Sequence, residues 1–406
     1  DGTEYGDPSV DTPSLFNPTL LDANQWATAF ADAGFRQVTL VVKHSTGFCL
    51  WPSAYTDYSV ASSEWRGGQG DVVRDFAEAM RAHGLRVGLH LSAWDEHFPS
   101  SSPAYEAYLH DQVTELLTQY GPIDEIGWIG YQAPTSIDGG ALVQLAKALQ
   151  PEVLVWMGPE LAAAGADLRY LGNQHAEATR VTSSIGDVPN GGPTNVWYPA
   201  QAPASDRGES WFWHPEDEVI SLDALQETYF RSVGMNATLL LNVPPNASGL
   251  IDTPDLELLA GFGAWVSALY AEDRLRGQPA AADSAWSQPG FDAARAVDDD
   301  VCTCWAAAEG ATTARLEVTP LAPVSIQLIS IREPIELGER TTAYHVELKQ
   351  DGAWNPAPTD GEGARIQGTV IGQRQLWRLD PTTIEGIALV IDSARAAPAI
   401  AEFAAY

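Results

Sequence analysis

The stretch that decides the fold is residues 38–51, which read VTLVVKHSTGFCLW. Its first five residues are all apolar or β-branched, and the basic pair Lys43 and His44 follows them directly. A continuous apolar run of this length predicts a strand that is buried on both faces, as in a parallel sheet. Parallel α/β folds carry their chemistry at the carboxyl ends of such strands. We therefore expect Lys43 and His44 to lie at the functional edge of a sheet.

Helices and strands alternate along the first two thirds of the chain. Asp22 is placed to cap a first helix, and Gly34 is placed to end it. Further helices are predicted at 71–83, 105–119, 140–149, 222–232 and about 255–271, and strands at 85–92, 125–131, 152–157, 169–171 and 237–243. Such alternation predicts a (β/α) barrel of the TIM type, with its site at the carboxyl ends of the strands.

The pattern changes after Gly277. The run QPAAADSAWSQPG at 278–290 has the composition of a linker, and we place the linker at 275–287. Beyond it, short alternating runs such as 326–331, 344–348 and 387–391 are separated by Gly, Pro and Asp. This predicts a β-sandwich. We expect the following organisation: a barrel domain at 1–274, a linker at 275–287 and a β-sandwich domain at 288–406.

Composition narrows the class of protein. The 406 residues include 54 acidic and 22 basic side chains, for a net charge of -32. Such a field repels nucleic acid and anionic lipid, and no apolar run is long enough to span a bilayer. With no signal peptide visible, we interpret the chain as the mature or trimmed form of an extracellular or secreted bacterial protein. The charge then serves solubility in that setting, and the alternative explanation is that it attracts a cationic partner. The three cysteines lack metal-ligand spacing and are interpreted as structural thiols.

The polar end of the first stretch carries a family resemblance. Residues 43–51, KHSTGFCLW, resemble the sugar-binding strand Lys-His-His-Asp-Gly-Phe-Cys-Leu-Trp of the α-L-fucosidases, glycoside hydrolase family 29. Residues 92–95, SAWD, resemble the family's Ser-Pro-Trp-Asp. The resemblance covers about residues 4–271 and implies a (β/α)8 TIM-like barrel and a glycan or oligosaccharide ligand. A first barrel strand with a sugar-binding His precedes this stretch in the family. We find no counterpart for it and expect that strand to be absent from this chain.

Three carboxylates of the family are replaced here. The resemblance puts the nucleophile at Ile129, because EIGWIG stands where the family has Glu-Val-Trp-Phe-Asp-Gly. The acid/base of the α-1,3/4-fucosidase-like branch falls on Gln174, and a third family carboxylate falls on Gln201. An alkyl side chain cannot be a nucleophile, and an amide is a very poor proton donor. Conventional retaining hydrolysis, which needs two carboxyl groups, is therefore predicted to be lost.

Side chains that can bind a sugar remain beside the predicted strand ends. We predict the following substrate-binding residues: His44, Ser45, Trp51, His90, Trp94, Trp128, Asn173, Gln174, Trp197, Tyr198, Gln201, Arg207 and Trp211. The tryptophans fit a barrel core equally well. Two functions stay open. One is a glycan-recognition protein without the family's catalysis. The other is an active exo-glycosidase on fucose or a related sugar, with Asp95, Glu177 or Glu209 as replacement carboxylates; the alternative for each of these three is a solvated loop carboxylate.

The C-terminal part resembles a discoidin-like (F5/8 type C) carbohydrate-binding module. The resemblance is carried by VDDDV at 297–301, by Trp305, by REPIELGER and by the closing IAEFAAY. Asp298–Asp300 could hold a structural calcium ion or form a solvated turn. No other metal and no cofactor is predicted. The sequence leaves the sugar, the linkage and the oligomeric state open.

Overall fold

The computed structural model describes residues 13–99, 102, 104–129, 137–158, 161–163, 165–171, 174–189, 192–361 and 364–406. The chain divides into two compact units. Unit 1 consists of Asp1–His175, Gly186–Leu225 and Leu241–Ala264, and unit 2 consists of Ala176–Ile185, Gln226–Leu240 and Trp265–Tyr406.

Unit 1 contains most of an alternating series of helices and strands. The helices are α1 Ala23–Asp32, α2 Val72–Ala82, α3 Tyr105–Gln119, α4 Gly139–Leu149, α5 Leu222–Ser232 and α6 Thr253–Leu269. The strands are β1 Gln37–Lys43, β2 Arg86–Ser92, β3 Glu125–Ile129, β4 Leu154–Met157, β5 Leu168–Tyr170, β6 Ile185–Gly186, β7 Val196–Trp197, β8 Ala200–Ser205 and β9 Thr238–Asn242. The boundaries between the units fall after His175 and within β6, α5, β9 and α6.

Seven of these strands form one sheet in the order β1-β2-β3-β4-β5-β8-β9. The register is parallel from β1 through β5 and on to β8. Helices α2, α3 and α4 provide the crossovers that the parallel neighbours from β1 to β4 need. The TIM-like barrel architecture predicted from the sequence is therefore confirmed. Strands β6 and β7 pair separately.

Local sequence explains where the helices begin and end. Asp22 accepts hydrogen bonds from the backbone N–H groups of Asn24 and Gln25 at the start of α1. Asp71 likewise accepts from the N–H of Arg74 in α2. Gly84, after α2, has a φ of +73°, a left-handed conformation that favours glycine over other residues. These caps fix where the chain turns toward each next strand.

Two strands differ from the expectation. Strand β1 was expected to be buried on both faces, yet most of its residues are only half-buried and Val41 is 38% exposed. Within the described residues, β1 stands at the end of the strand order, so one neighbouring strand flanks it instead of two. Strand β8 was not predicted, because its sequence AQAPAS has no β-branched or aromatic residue and includes Pro203.

Unit 2 is built mainly from antiparallel strands. They are β10 Ala280–Ala282, β11 Trp305–Ala306, β12 Ala314–Val318, β13 Val324–Arg332, β14 Thr341–Gln350, β15 Ala353–Pro356, β16 Gln367–Gly368, β17 Gln375–Ile384, β18 Gly386–Ala394, β19 Ala399–Ile400 and β20 Glu402–Ala405. The larger sheets have the orders β10-β12-β18-β14-β15, with β16 beside β14, and β17-β13-β20. Their inner faces share a core that includes Trp305, Ile329 and Leu389. The β-sandwich prediction is confirmed.

The segment 275–287 is structured. Leu275 is fully buried in the core of unit 2, and β10 pairs antiparallel with β12. Among the described residues, no helix is both long enough and apolar enough to span a membrane.

Candidate functional site

Side chains from four strands meet on the carboxylate of Glu125, at the start of β3. Its Oε1 lies 2.8 Å from His90 Nε2, and its Oε2 accepts hydrogen bonds from Gln37 Nε2 at 2.8 Å and from Gln201 Nε2 at 2.7 Å. Since a carboxylate oxygen accepts, His90 carries a proton on Nε2. The four residues belong to β1, β2, β3 and β8, so the network ties the strands together across the barrel interior.

Glu125 is 1% exposed. Burial would raise its pKa, but the hydrogen bonds and charge of His90 and the hydrogen bonds from Gln37 and Gln201 outweigh burial, so the pKa lies below its usual range. An ionised carboxylate with both oxygens occupied is a structural acceptor and is poorly suited to proton transfer.

The inward face of β3 carries Glu125, Gly127 and Ile129, because side chains alternate along a strand. A Cβ atom at Gly127 would lie 2.5 Å from the His90 ring and 2.9 Å from Trp156. Those two rings stack with centroids 4.7 Å apart. The missing side chain at Gly127 therefore leaves room for the stacked pair.

Ile129 ends β3 on this inward face. It is half-buried and is paired in register with Ser92, the last residue of β2. Gln174 is exposed and has a φ of +57°. Asn173 lies outside the described residues. The side chain at the carboxyl end of the inward face of β3 is thus a hydrocarbon.

Lys43 and Asp95 form a buried ion pair. Lys43 Nζ lies 3.1 Å from Asp95 Oδ2 and donates to Gln112 Oε1 at 2.9 Å, and the side chains of the ion pair are 0% exposed. Asp95 Oδ1 accepts from the backbone N–H groups of His97 and Phe98 at 3.0 and 2.7 Å. Asp95 therefore holds Lys43 and a turn after β2.

The other two candidate carboxylates are on the surface. Glu177, in unit 2, lies 3.1 Å from Arg231 Nη1, and both side chains are about half exposed. The side chain of Glu209, in unit 1, is 91% exposed and lies 3.9 Å from His175 Nε2. Both carboxylates are therefore well solvated, in the way expected of ordinary surface acids.

His44 follows β1 directly and is half-buried. Its Nδ1 lies 3.1 Å from Ser45 Oγ, and its ring meets Phe212 edge-on with centroids 5.1 Å apart. Burial lowers the pKa of His44, which favours the neutral ring at physiological pH. A neutral imidazole can both donate and accept a hydrogen bond, as a sugar hydroxyl requires. Phe212 was not among the predicted site residues, although its place within the aromatic run at 211–213 was a signal.

The predicted aromatic residues fall into two groups. Trp51, Trp128 and Tyr198 are at most 1% exposed and lie in the core of unit 1, where Trp51 Nε1 donates to Glu115 Oε2 at 2.9 Å. The second group has accessible ring area: Trp94 and Trp211 are half-buried, and Trp197 is 44% exposed. A ring that is closed off in the core cannot stack on a sugar unless the chain rearranges.

Arg207, just after β8, is 7% exposed and holds the start of α6. One of its terminal nitrogens, Nη2, lies 2.9 and 2.6 Å from the two oxygens of Asp255, while Nη1 donates to the Asp217 carbonyl at 2.9 Å.

The neighbouring Asp206 is fully buried. Burial and the charge of Asp255 raise the pKa of Asp206 to about 8. Nothing in the sequence pattern pointed to Asp206 or Asp255, because the proximity of two acids remote in sequence is created only by folding.

Two cavities mark unit 1. One, of about 400 Å³, is lined by the loop after β8 and by residues around the start of α6, including Arg207, Trp213 and Asp252. The other, of about 200 Å³, lies against α2 and the end of α3, away from the carboxyl ends of the strands.

Among the described residues, no group of His, Cys, Asp and Glu side chains is arranged to hold a metal ion. At Asp298, Oδ2 accepts from Thr303 Oγ1 at 2.8 Å and Oδ1 from the backbone N–H of Asp300 at 3.0 Å.

Comparison with known proteins connects this geometry to a family. The model of the alpha-L-fucosidase family matches residues 2–270. Alpha-L-fucosidase 1 of Arabidopsis thaliana is 34% identical over 418 residues, an alignment that covers 97% of this chain and 80% of the plant protein.

Solved structures agree with the sequence comparison. The crystal structure of SpGH29 superposes with a TM-score of 0.90 at 29% identity, covering 100% of this chain and 92% of that one. A Ruminococcus gnavus GH29 fucosidase in complex with fucose superposes with a TM-score of 0.88, covering 100% of this chain and 88% of that one. Its identity is 24%, so this second likeness concerns the fold.

Proposed function

Because this chain belongs to the alpha-L-fucosidase family, glycoside hydrolase family 29, we propose that it recognises fucosylated or related glycans without conventional retaining hydrolysis. Membership of a glycosidase family implies a glycan ligand. The observation that carries the proposal is Ile129, on the inward face at the carboxyl end of β3, where the family resemblance calls for the nucleophile. An sp3 hydrocarbon has no lone pair with which to attack an anomeric carbon.

The amide at Gln201 supports the same proposal. Gln201 Nε2 donates to Glu125 Oε2 at 2.7 Å. A carboxylate at position 201 would face the Glu125 carboxylate at that distance, and like charges so close cannot both stay ionised. The present pair of residues keeps Glu125 charged and occupied, which is consistent with a structural role for this part of the interior.

Groups suited to sugar recognition remain available. His44 is half-buried and favours the neutral form, and the rings of Trp94, Trp197 and Trp211 keep accessible area. Aromatic faces stack on the apolar face of a pyranose, and neutral polar groups bind its hydroxyls. A site with these groups can bind a sugar without a catalytic carboxylate.

The alternative, an active exo-glycosidase with a rewired carboxylate pair, finds less support. Asp95 is occupied by Lys43 and two backbone N–H groups, and the side chain of Glu209 is 91% exposed. Retaining enzymes need two carboxyl groups about 5–5.5 Å apart, one of them protonated.

Three finer proposals accompany the main one. The first is that the sugar pocket has the form found in the α-1,3/4-fucosidase-like branch of the family. Residues 288–406 form a discoidin-like carbohydrate-binding module that follows a barrel domain at 1–274, and the segment 275–287 between them packs with the module through Leu275 and β10; the antiparallel sheets of unit 2 are consistent with this. The protein works outside the cell, as an extracellular or secreted bacterial protein, which suits its net charge of -32.

Hydrolysis of 4-nitrophenyl α-L-fucoside tests the main proposal. We expect no turnover by the wild type and measurable turnover by the double variant Ile129→Asp, Gln174→Glu. The matched control is Ile129→Asn, Gln174→Glu, which has similar size and polarity but no nucleophile, and it should stay inactive.

Binding is measured separately, by calorimetric titration of the wild type with L-fucose and a fucosylated trisaccharide. We expect binding that the His44→Ala variant weakens. Turnover by the wild type would refute the loss of hydrolysis, and the variants of Asp95, Glu177 and Glu209 to Asn or Gln would then identify the groups responsible. Absence of both binding and turnover would refute glycan recognition at this site.

A further inference from the structure

The cavity of about 200 Å³ lies against α2 and the end of α3, away from the carboxyl ends of the barrel strands. Its wall on α2 consists of Arg74, Ala77, Glu78 and Arg81. These positions are spaced i, i+3, i+4 and i+7, so they share one face of the helix. The volume is below the about 300–1,000 Å³ of a drug-sized ligand site, and the space therefore suits a small molecule.

Hydrogen bonds fix the guanidinium group of Arg81 in this wall. Its Nη2 donates to the carbonyl oxygens of Tyr120 at 2.7 Å and of Pro122 at 2.5 Å. A Cβ atom at Gly121 would lie 3.5 Å from Cζ, Nη1 and Nη2 alike, so one face of the guanidinium lies over that glycine. Nη1 has no hydrogen-bond partner among the described residues and is not closed off from solvent. Arg81 therefore presents an ordered, unused donor to the cavity.

Glu78 lines the same cavity without a cation of its own. It lies one helical turn before Arg81 and one turn after Arg74, spacings at which opposite charges usually pair. Arg81 is held instead by the two carbonyl groups. Arg74 Nε lies 3.5 Å from Asp71 Oδ2, and its guanidinium carbon lies 5.0 Å from the centre of the Tyr120 ring. The exposed carboxylate of Glu78 consequently has no ion-pair partner in the described part of the chain.

Charge decides which class of ligand fits this wall. One cationic group and one anionic group are left unpaired on a single small cavity, and a ligand that carries both a carboxylate and an ammonium group pairs with both. The net charge of -32 repels a simple anion, and Glu78 repels it locally. A simple cation meets two arginines. A zwitterion has no net charge, so neither repulsion opposes its approach.

We propose that this cavity binds a small zwitterion of the α-amino acid class, with its carboxylate on Arg81 Nη1 and its ammonium group on the carboxylate of Glu78. The inference does not depend on the proposed glycan recognition, because the cavity lies away from the carboxyl ends of the strands. It adds a second ligand class on the helical surface of unit 1.

Saturation-transfer NMR titrations of the full chain test the proposal with three probes. L-Alanine carries both charges, acetate carries the carboxylate alone, and ethylammonium carries the ammonium group alone. We expect L-alanine to bind about threefold more tightly than either of the other probes, since a second exposed ion pair typically adds a factor of that size.

Two variants separate the contributions of the charges. Glu78→Gln should weaken the binding of L-alanine about threefold and strengthen that of acetate, because it removes an attraction for the one and a repulsion for the other. Arg81→Gln should weaken both. The matched controls are Glu64→Gln and Arg36→Gln, which alter exposed side chains of unit 1 outside the cavity. Both controls should bind the three probes as the wild type does.

Melting curves establish that each variant is folded, and Glu78→Gln, which removes no ion pair, decides the matter if Arg81→Gln is not folded. If L-alanine binds no more tightly than acetate and ethylammonium, the cavity holds only water and exchangeable ions, and the proposal is wrong. Weaker acetate binding in Glu78→Gln would contradict the repulsion on which the proposal rests. Equal losses of L-alanine binding in the two control variants would also refute it.

Discussion

Asp206 offers a quantitative test of the buried charges after β8. It is fully buried, its backbone N–H donates to the Asn242 carbonyl, and its side-chain oxygens meet no donor in the described residues. Asp255, also fully buried, is held by Arg207. Two carboxylates can hydrogen-bond to each other only when one is protonated. Since Arg207 pairs with Asp255, the proton resides on Asp206.

The stability cost follows from the pKa of Asp206. Burial first, and then the charge of Asp255, raises it from 3.8 to about 8. The folded chain therefore binds more protons than the unfolded chain between these values, and its stability falls as the pH rises from about 4 to about 8. At pH 7, taking up this proton costs about 4 kcal/mol, since each pH unit above the unfolded pKa costs about 1.4 kcal/mol.

The variant Asp206→Asn carries no charge in either state, and its amide can donate to Asp255. We expect it to be about 2 kcal/mol more stable than the wild type at pH 8, because relaxation and water entry relieve part of the full cost in the wild type. The difference should vanish near pH 4. Urea unfolding followed by tryptophan fluorescence at a series of pH values measures it.

A surface variant provides the control for this prediction. Asp57→Asn alters a side chain that is 94% exposed, and it should change stability by less than about 0.5 kcal/mol at every pH. If Asp206→Asn were less stable than the wild type, or followed the same pH dependence, Asp206 would be ionised in the folded protein. The assignment of the proton would then be wrong.

Three further substitutions test the interior of unit 1. Lys43→Met leaves Asp95 buried without its cation and should lower the free energy of unfolding in urea by about 3–5 kcal/mol. Adding Asp95→Asn should restore part of that stability. A loss under about 1 kcal/mol would contradict the buried ion pair. Gly127→Ala should lower the free energy of unfolding by about 1–3 kcal/mol, because the added methyl group overpacks the interior. The control Gly261→Ala, inside α6 with its nearest contact at 3.5 Å, should raise the free energy of unfolding by about 0.5–1 kcal/mol. Equal effects of the two substitutions would argue against close packing at Gly127. Glu125→Gln should cost about 1–3 kcal/mol of unfolding free energy at pH 7. Because the folded protein lowers the pKa of Glu125, this carboxylate contributes stability above pH 4.5 that is lost as the pH falls through the lower folded pKa, and the variant should therefore lose less stability in acid. An unchanged decline of stability in acid would contradict this prediction.

The interior network has a meaning beyond stability. Glu125 is an acid placed among polar side chains in the interior of a glycosidase-family barrel, yet each of its oxygens is already occupied. A free carboxylate at this depth would raise its own pKa and become reactive. The donors His90, Gln37 and Gln201 prevent this. Polar residues in a barrel interior can therefore organise a site without taking part in its chemistry.

Local sequence located the main helices and several of the strands of unit 1. The helices at 105–119 and 222–232 were predicted with the bounds that α3 and α5 have. Periodicity and caps involve residues a few positions apart, so they can be read directly from the chain. Strand β8 was not predicted from the sequence, because its residues do not favour a strand and its conformation comes from pairing with β5.

The sequence by itself determined the class of fold and the family resemblance, because these depend on patterns of neighbouring residues. Only the tertiary structure decided what each polar side chain does. Asp95 stood beside a tryptophan at a strand end, but its partner Lys43 lies 52 positions away. Trp51 belonged to the same motif as His44, yet one is closed in the core and the other is half-exposed. Burial and long-range pairing arise when distant segments pack, and no local pattern records them.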